Sequence, residues 1–273
     1  MRTQSQKADA FRALHKREGA FVIPNPWDIG TARLLARLGF EALATTSAGY
    51  AFSVGKRDYS IGREKMLRHV GDIVSATDLP VSADLENGFA DDPAAAAETY
   101  RLAAATGLVG ASIEDATGRK DDPIYEHKLA AERVRAAVEA VSSLAFPFML
   151  TARAENYLWG RPDLKDTIRR LQAYQDAGAQ VLYAPGLTNK QDIATIVRSV
   201  NRPVNVVIGL QGVQLSVADL AAIGVKRISV GSALSRAALG AFLRAAQEMR
   251  ERGTFSFAAE AVNYRELSEM FSA

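Results

Sequence analysis

The chain has 273 residues, no cysteine, and 33 basic against 31 acidic side chains, for a net charge of +2. This length fits one large barrel or two small domains, and the missing thiols exclude disulfides, zinc–thiolate centres and a cysteine nucleophile or acid. No block of basic residues and no run of about 18 apolar ones occurs, so neither nucleic acid nor a membrane is expected as a partner.

The opening MRTQSQKADAFRALHKREG is polar and helical in pattern, with no signal-peptide core, which suits a cytoplasmic enzyme. Short apolar runs, several rich in Val or Ile, then predict strands at 20–25, 42–47, 80–85, 110–115, 148–155, 181–186, 203–208 and 227–231. Continuous apolar runs of this kind suit strands covered on both faces. Helical patterns lie between them. Asp28 can cap 29–38, with Gly39 closing it, and Asp92-Pro93 opens 94–105. Asp163 starts the run to 177, and Gly178 and Gly224 each stop a helix just before a strand. Eight strand–helix units predict an α/β chain folded as a (βα)8 barrel, a single domain over residues 1–273. A doubly wound open sheet would show a Gly-rich first turn, whereas Asn25 is followed by Pro26-Trp27-Asp28. A further helical run at 258–271 is surplus to the eight units and suits a subunit contact.

Barrel enzymes carry their chemistry at the C-terminal ends of strands. Here those ends read Asn25, Thr45-Thr46-Ser47-Ala48-Gly49-Tyr50, Asp84-Leu85-Glu86-Asn87-Gly88, Glu114-Asp115 and Arg153-Ala154-Glu155-Asn156, then Tyr183, Asn205 and Gly231-Ser232. Asp84, Glu86 and Glu114 would repel one another in a shared mouth, and a hard divalent cation relieves that. Magnesium favours a few carboxylates, several waters and substrate oxygens, and Arg153 supplies a planar fork for a carboxylate or phosphate. Asp115 is the weakest member of the set and suits a cap or ion pair. At any one strand end, a structural cap or ion pair is the competing reading.

These residues resemble the isocitrate lyase/phosphoenolpyruvate mutase family. Ser82-Ala83-Asp84-Leu85-Glu86-Asn87-Gly88-Phe89 is similar to its first metal segment, Ser112-Ile113-Glu114-Asp115 to its second, and Thr151-Ala152-Arg153 to its substrate-arginine segment. Gly55-Lys56-Arg57-Asp58 stands where the family carries a G-x-x-D segment, and Thr45–Gly49 at its substrate loop. The resemblance implies a magnesium barrel, with manganese as the alternative ion, acting on a small carboxylate. It implies Asp84 as a direct or near-direct metal ligand, Glu86 and Glu114 acting through water, and Arg153 on the oxo-acid end. Asp58 would lie near substrate and metal waters, and Thr46, Ser47 and the Ala48 amide would hold a carboxylate. It also implies a last helix exchanged between subunits of a homo-oligomer, a dimer or tetramer.

The sequence departs from the family's lyases in its gating loop. They carry K-[KR]-C-G-H, with the Cys as acid/base; here the loop reads Ala116-Thr117-Gly118-Arg119-Lys120-Asp121-Asp122-Pro123. Mutases carry Lys and Asn there; Lys120 fits the Lys, but Asp122 stands for the Asn and would repel a phosphoryl group. Pro185 replaces the lyases' Glu after the sixth strand. What remains favours stabilising an enolate, hence C–C cleavage or decarboxylation of a 2-oxo or hydroxy di- or tricarboxylate, on the pattern of methylisocitrate lyase or oxaloacetate decarboxylase. The alternatives are P–C bond chemistry as in phosphonopyruvate mutase or hydrolase, or a non-catalytic oxo-acid-binding relative. A phosphosugar barrel would use Gly209, Gly212 and Val230-Gly231-Ser232, and no Lys at a strand end suggests a Schiff base.

Candidate proton donors are Tyr50, Tyr183, Lys120 and His127, with Asp58, Arg153, Lys120 and Tyr50 as the catalytic set and Tyr183 also touching substrate. His15 and His69 are expected on the surface, and Trp27 and Trp159 in rim packing.

Overall fold

The computed structural model describes residues 2–210 and 213–272. Helix α1 (Gln4–Lys16) begins at Thr3, which forms a reciprocal capping box with Gln6. There follow β1 (Phe21–Ile23), α2 (Ile29–Arg37), β2 (Leu43–Ala44), α3 (Ser47–Ser53), α4 (Arg63–Ser75), β3 (Val81–Asp84) and α5 (Pro93–Ala104). Next come β4 (Gly110–Glu114), α6 (His127–Ser142), β5 (Met149–Arg153), α7 (Leu164–Asp176), β6 (Val181–Tyr183) and α8 (Lys190–Ser199). The chain closes with β7 (Val204–Val207), α9 (Val217–Ala222), β8 (Arg227–Ser229), α10 (Ala233–Arg252), a 3₁₀ turn (Ser256–Ala259) and α11 (Tyr264–Met270).

All eight expected strands are present, and each pairs in parallel with its sequence neighbour from β2 to β8, with β8 returning to β1. The Ala44 amide donates to the Pro24 carbonyl at 3.0 Å, so the ring between β1 and β2 is nearly closed. Asp28, Asp92 and Asp163 cap α2, α5 and α7, as their positions predicted. These short polar side chains satisfy amides that a helix start leaves without partners.

Register fixes what faces the interior. Glu114 pairs with Arg153, Arg153 with Tyr183, Tyr183 with Asn205, and Asn205 with Arg227. Register-matched residues on parallel strands point the same way, so one inward line runs across five strands. Two residues back along the same face lie Ser112 and Thr151, in register with Asp84. Branched aliphatics usually fill such layers; here small polar groups leave room above them.

Three expectations change. The second strand does not run to 47: Thr46 already caps α3, accepting from the Gly49 amide at 3.2 Å. The run at 258–271 is not one helix, because Asn263 accepts from the Arg265 amide and starts α11 afresh. His15 and His69 are buried, not surface residues. Helix α1 lies across the base of the barrel, packing Ala8, Phe11 and Leu14 against Phe21, Ile23, Val109 and Val181, and His15 stands edge-on between Phe11 and Phe21. His69 of α4 stacks on Tyr50 at 3.7 Å. Among the described residues no helix is long and apolar enough to cross a membrane.

Candidate active site

A cavity of about 190 Å³ opens at the C-terminal ends of the strands. It is below the usual range for drug-sized ligands and suits a small molecule. Asp84, Glu114 and Arg153 line it with Thr46, Ser47, Ala48, Asp58 and Tyr183. The structure thus brings together most of the residues named from sequence.

Arg153 ends β5 and is the hub. Its Nη1 donates to Asp84 Oδ1 at 2.9 Å and lies 3.1 Å from Glu114 Oε2, while its Nε donates to Glu155 Oε1 at 2.8 Å. Nη2 makes no hydrogen bond among the described residues. Burial works to strip the guanidinium of its proton, but Glu114, Glu155 and Asp84 outweigh it and hold the group firmly charged. Asp84 is gripped from its other side: Ser47 donates to Oδ2 from its amide at 3.1 Å and its hydroxyl at 2.9 Å. Ser47 can do so because α3 starts immediately beside β3. That close approach needs Gly49, where a Cβ would lie 2.6 Å from the Thr46 methyl.

The remaining acids are crowded. Burial and then Asp84 raise the Asp58 carboxyl above its ordinary range, against Ser47 and Arg153. Burial, Asp84 and Asp58 push Glu86 up to about 8. Asp58 Oδ1 and Glu86 Oε1 are both buried with no hydrogen-bond partner among the described residues. Glu86 sits at φ 50, in the left-handed region that a side chain seldom adopts. It lines a second, wider cavity under the gating loop, and Tyr59 lines both cavities.

Two orphaned carboxylate oxygens near an anchored Asp84 are what a hydrated divalent cation would satisfy. No group of three acidic or histidine side chains among the described residues is drawn close enough to ligate an ion directly. Magnesium keeps several of its waters and needs only one or two carboxylates in direct contact, so the residues present fit the ion. Glu114 fits less well than expected, since Arg153 and the Tyr59 hydroxyl already hold its two oxygens.

Other expected residues lie elsewhere. Tyr50 of α3 faces α4, stacked on His69, and does not line the cavity. Lys120 is exposed in the gating loop and likewise does not reach it. Asp122 is exposed and paired with Arg119 at 3.1 Å, so its charge is directed away from the site. His127 bonds Asp166 at 2.6 Å on the outer helices. Asp115 takes the expected ion pair, with Arg170 at 3.1 Å. Trp159 packs edge-on against Tyr59. Gly212 lies outside the described residues.

Sequence reasoning gave no role to Tyr59, Glu155, Arg227 or Arg236, and none to Asn205 beyond its place near a strand end. Tyr59 stands next to Asp58 at φ 59, and its phenol donates to Glu114. Asn25 was noted only as a strand end; its Oδ1 accepts from the Val230 and Gly231 amides at 2.9 Å.

The model of the phosphoenolpyruvate phosphomutase family matches residues 11–250. An uncharacterized Mycobacterium tuberculosis protein is 32% identical over 248 residues, 89% of each chain. The 2-methylisocitrate lyase of Escherichia coli is 29% identical over 187 residues, 66% of this chain and 62% of that one. Among solved structures, a lyase/mutase candidate from Burkholderia cenocepacia J2315 superposes with TM-score 0.96 at 65% identity, covering 99% of this chain and 97% of that one. Oxaloacetate acetylhydrolase bound to oxalate superposes with TM-score 0.87 and 2,3-dimethylmalate lyase with 0.84, each at 25% identity, covering 99% of this chain and 95% of theirs.

Proposed function

The chain belongs to the phosphoenolpyruvate phosphomutase family, and on that premise we propose that it is a magnesium-dependent lyase, cleaving a C–C bond of, or decarboxylating, a small 2-oxo or hydroxy di- or tricarboxylate. The observation that carries this reading is the anchored Asp84 flanked by the partnerless buried oxygens of Asp58 and Glu86. Asp84 would hold the ion, with Asp58 and Glu86 reached through its waters and Glu114 held back by Arg153; manganese fits the same oxygen set. The ion would supply positive charge to the oxo oxygen of the substrate.

The chain's own residues do the rest. Arg153 Nη2 binds the oxo-acid carboxylate, while Glu155 and Glu114 fix the plane of the guanidinium. Thr46, Ser47 and the Ala48 amide border the same end. The protonated phenols at the cavity are Tyr183, over which Arg153 lies at 5.1 Å, and Tyr59. Burial holds both well above the ordinary phenol range, so each keeps its proton to deliver to the released carbon. These replace Tyr50 and Lys120 in our reading.

The activities for which the relatives are named support the substrate class: 2-methylisocitrate lyase, oxaloacetate acetylhydrolase and 2,3-dimethylmalate lyase all act on small carboxylates. A panel of such acids, assayed with and without chelator on wild type and Asp84→Ala, tests it. Turnover that vanishes on chelation and in a folded Asp84→Ala variant is expected. Full turnover by that variant overturns the metal role.

One observation favours a second reading, P–C bond chemistry. The Asp122 charge, expected to repel a phosphoryl group, is paired with Arg119. Phosphorus NMR of phosphonopyruvate incubations separates the two.

We also read the chain as a single unit that assembles into a dimer or tetramer. Leu239, Phe242, Leu243 and Met249 on α10, and Phe255, Val262 and Tyr264 beyond it, leave large apolar side chains in solvent. In the single chain α11 folds back, with Arg37 donating to the Ser272 carbonyl at 3.2 Å.

A further inference from the structure

Arg227 is the first residue of β8, and its side chain follows the inward line of Tyr183 and Asn205 into the barrel. It is only 5% exposed, yet it lines the same cavity as Arg153. Its Nε donates to Asn205 Oδ1 at 2.8 Å, and Asn205 Nδ2 donates to Ser229 Oγ at 3.0 Å. Both partners are neutral. They fix the plane of the guanidinium and leave its charge unanswered. Nη1 is buried and has no hydrogen-bond partner among the described residues.

The two arginines of the cavity therefore differ. Arg153 is met by Asp84, Glu114 and Glu155. Among the described residues Arg227 has no carboxylate within ion-pair distance. Burial pulls its pKa down to about 10, which still leaves a cation at neutral pH. A buried charge without a counter-charge is costly. The approach is also distinctive. Asp84 and Arg153 end their strands, whereas Arg227 begins its own and reaches the cavity from below. The buried Thr151 hydroxyl is likewise without a partner among the described residues.

We infer that Arg227, oriented by Asn205 and Ser229, is a second anion-binding point that takes the substrate carboxylate remote from the one Arg153 serves. The assignment rests on the oxo-acid reading above and deepens it. The substrate is a diacid, held between two guanidiniums, with its far carboxylate directed toward the base of the barrel. An arginine fork pairs with a carboxylate through parallel hydrogen bonds, so this point selects for charge and also for reach.

The test compares acids that differ only at the far end. Binding of 2-oxoglutarate against 2-oxovalerate, and of oxaloacetate against 2-oxobutyrate, is measured by competition with oxalate at saturating magnesium. Wild type is expected to prefer the diacid of at least one pair. Arg227→Met is expected to weaken that diacid about ten- to one-hundred-fold, the worth of a charged hydrogen bond, while leaving the monoacid and oxalate nearly unchanged. Arg227→Lys should keep part of the preference. Equal weakening of both members of a pair, no weakening at all, or a wild type without preference overturns the subsite while leaving the oxo-acid reading in place. A wild type that binds no oxo acid with magnesium overturns both. Should Arg227→Met fail to fold, a crystal structure of unaltered protein with magnesium and the preferred acid decides. A carboxylate on the Arg227 guanidinium supports the assignment, and a water there with the acid's tail toward the mouth overturns it.

Discussion

Arg153 Nη1 stands 2.9 Å from Asp84 Oδ1, so the residue expected to hold a metal is already held by the residue expected to hold the substrate. The pair joins the two functions mechanically. Replacing Arg153 with Met leaves Asp84, Glu114 and Glu155 facing one another without a cation. Removing one partner of a buried ion pair costs about 3–5 kcal/mol, and magnesium should return part of that. The expected result is a variant with a strongly lowered denaturation midpoint, a larger magnesium-induced gain in stability than wild type, and turnover reduced at least about 100-fold. Urea denaturation with and without magnesium, beside an activity assay, measures all three. Arg153→Lys should recover stability better than activity, because a lysine restores charge but not the fork.

Much of this was readable in the sequence, because barrels put chemistry where strands end. Asp84, Glu114 and Arg153 are the last residues of their strands, three charged groups at the ends of apolar runs. Asp58 was found only through a family segment, since it lies on a loop that no periodicity marks. Tyr50 was misplaced because the sequence does not say that the chain turns into α3 at Thr46, which rotates Tyr50 outward onto His69. Arg227 was passed over for a related reason. A charged residue at the start of a strand reads as its flank, and only the register with Asn205 shows that it points inward. His15 looks solvent-facing in a helical pattern until α1 is seen closing the base of the barrel, and His69 until Tyr50 is seen stacked on it.

Tyr59 offers a discriminating substitution. Its phenol donates to Glu114 and its ring packs on Trp159. Burial already drives Glu114 well above the carboxylate range, and Arg153 opposes that. Tyr59→Phe keeps the ring and removes the donor, at a cost of about 1–3 kcal/mol for a buried acceptor left short. If Tyr59 also delivers a proton, kcat should fall about 100-fold or more with little change in KM. Stability loss with unchanged kcat would restrict Tyr59 to holding Glu114. Tyr183→Phe, run in parallel, shows which phenol carries the proton.

The exposed apolar side chains of α10 predict assembly. Phe242 is 66% exposed and Leu243 is 56% exposed, side by side on a helix of 20 residues. Light scattering of wild type should give a dimer or tetramer. Phe242→Asp with Leu243→Asp should shift it toward smaller species without unfolding the barrel, because neither residue is buried in the single chain. A monomeric wild type would remove the assembly from the proposal.

Acid stability should depend on His15. Its ring lies between Phe11 and Phe21, Nδ1 bonds the Phe11 carbonyl at 2.8 Å, and Nε2 has no partner among the described residues. Burial, then the nearby Arg227 charge, lowers its pKa from 6.5 to about 3. The direction of the pH effect follows. Above pH 6.5 neither the folded nor the unfolded chain protonates this ring, so its contribution is intact. Between 6.5 and about 3 the unfolded chain takes up a proton that the folded chain refuses. Stability is lost across that window at roughly 1.4 kcal/mol per pH unit, on the order of 5 kcal/mol in all. His15→Leu removes the titration and sacrifices one hydrogen bond, about 1 kcal/mol. Near pH 7 the variant should be slightly less stable than wild type, and near pH 4.5 more stable, with the curves crossing as the unfolded histidine protonates. Urea denaturation at half-unit steps of pH measures the difference, in which titrations common to both proteins cancel. Parallel curves would mean that the ring can charge in place, and that α1 closes the base of the barrel less tightly than its packing suggests.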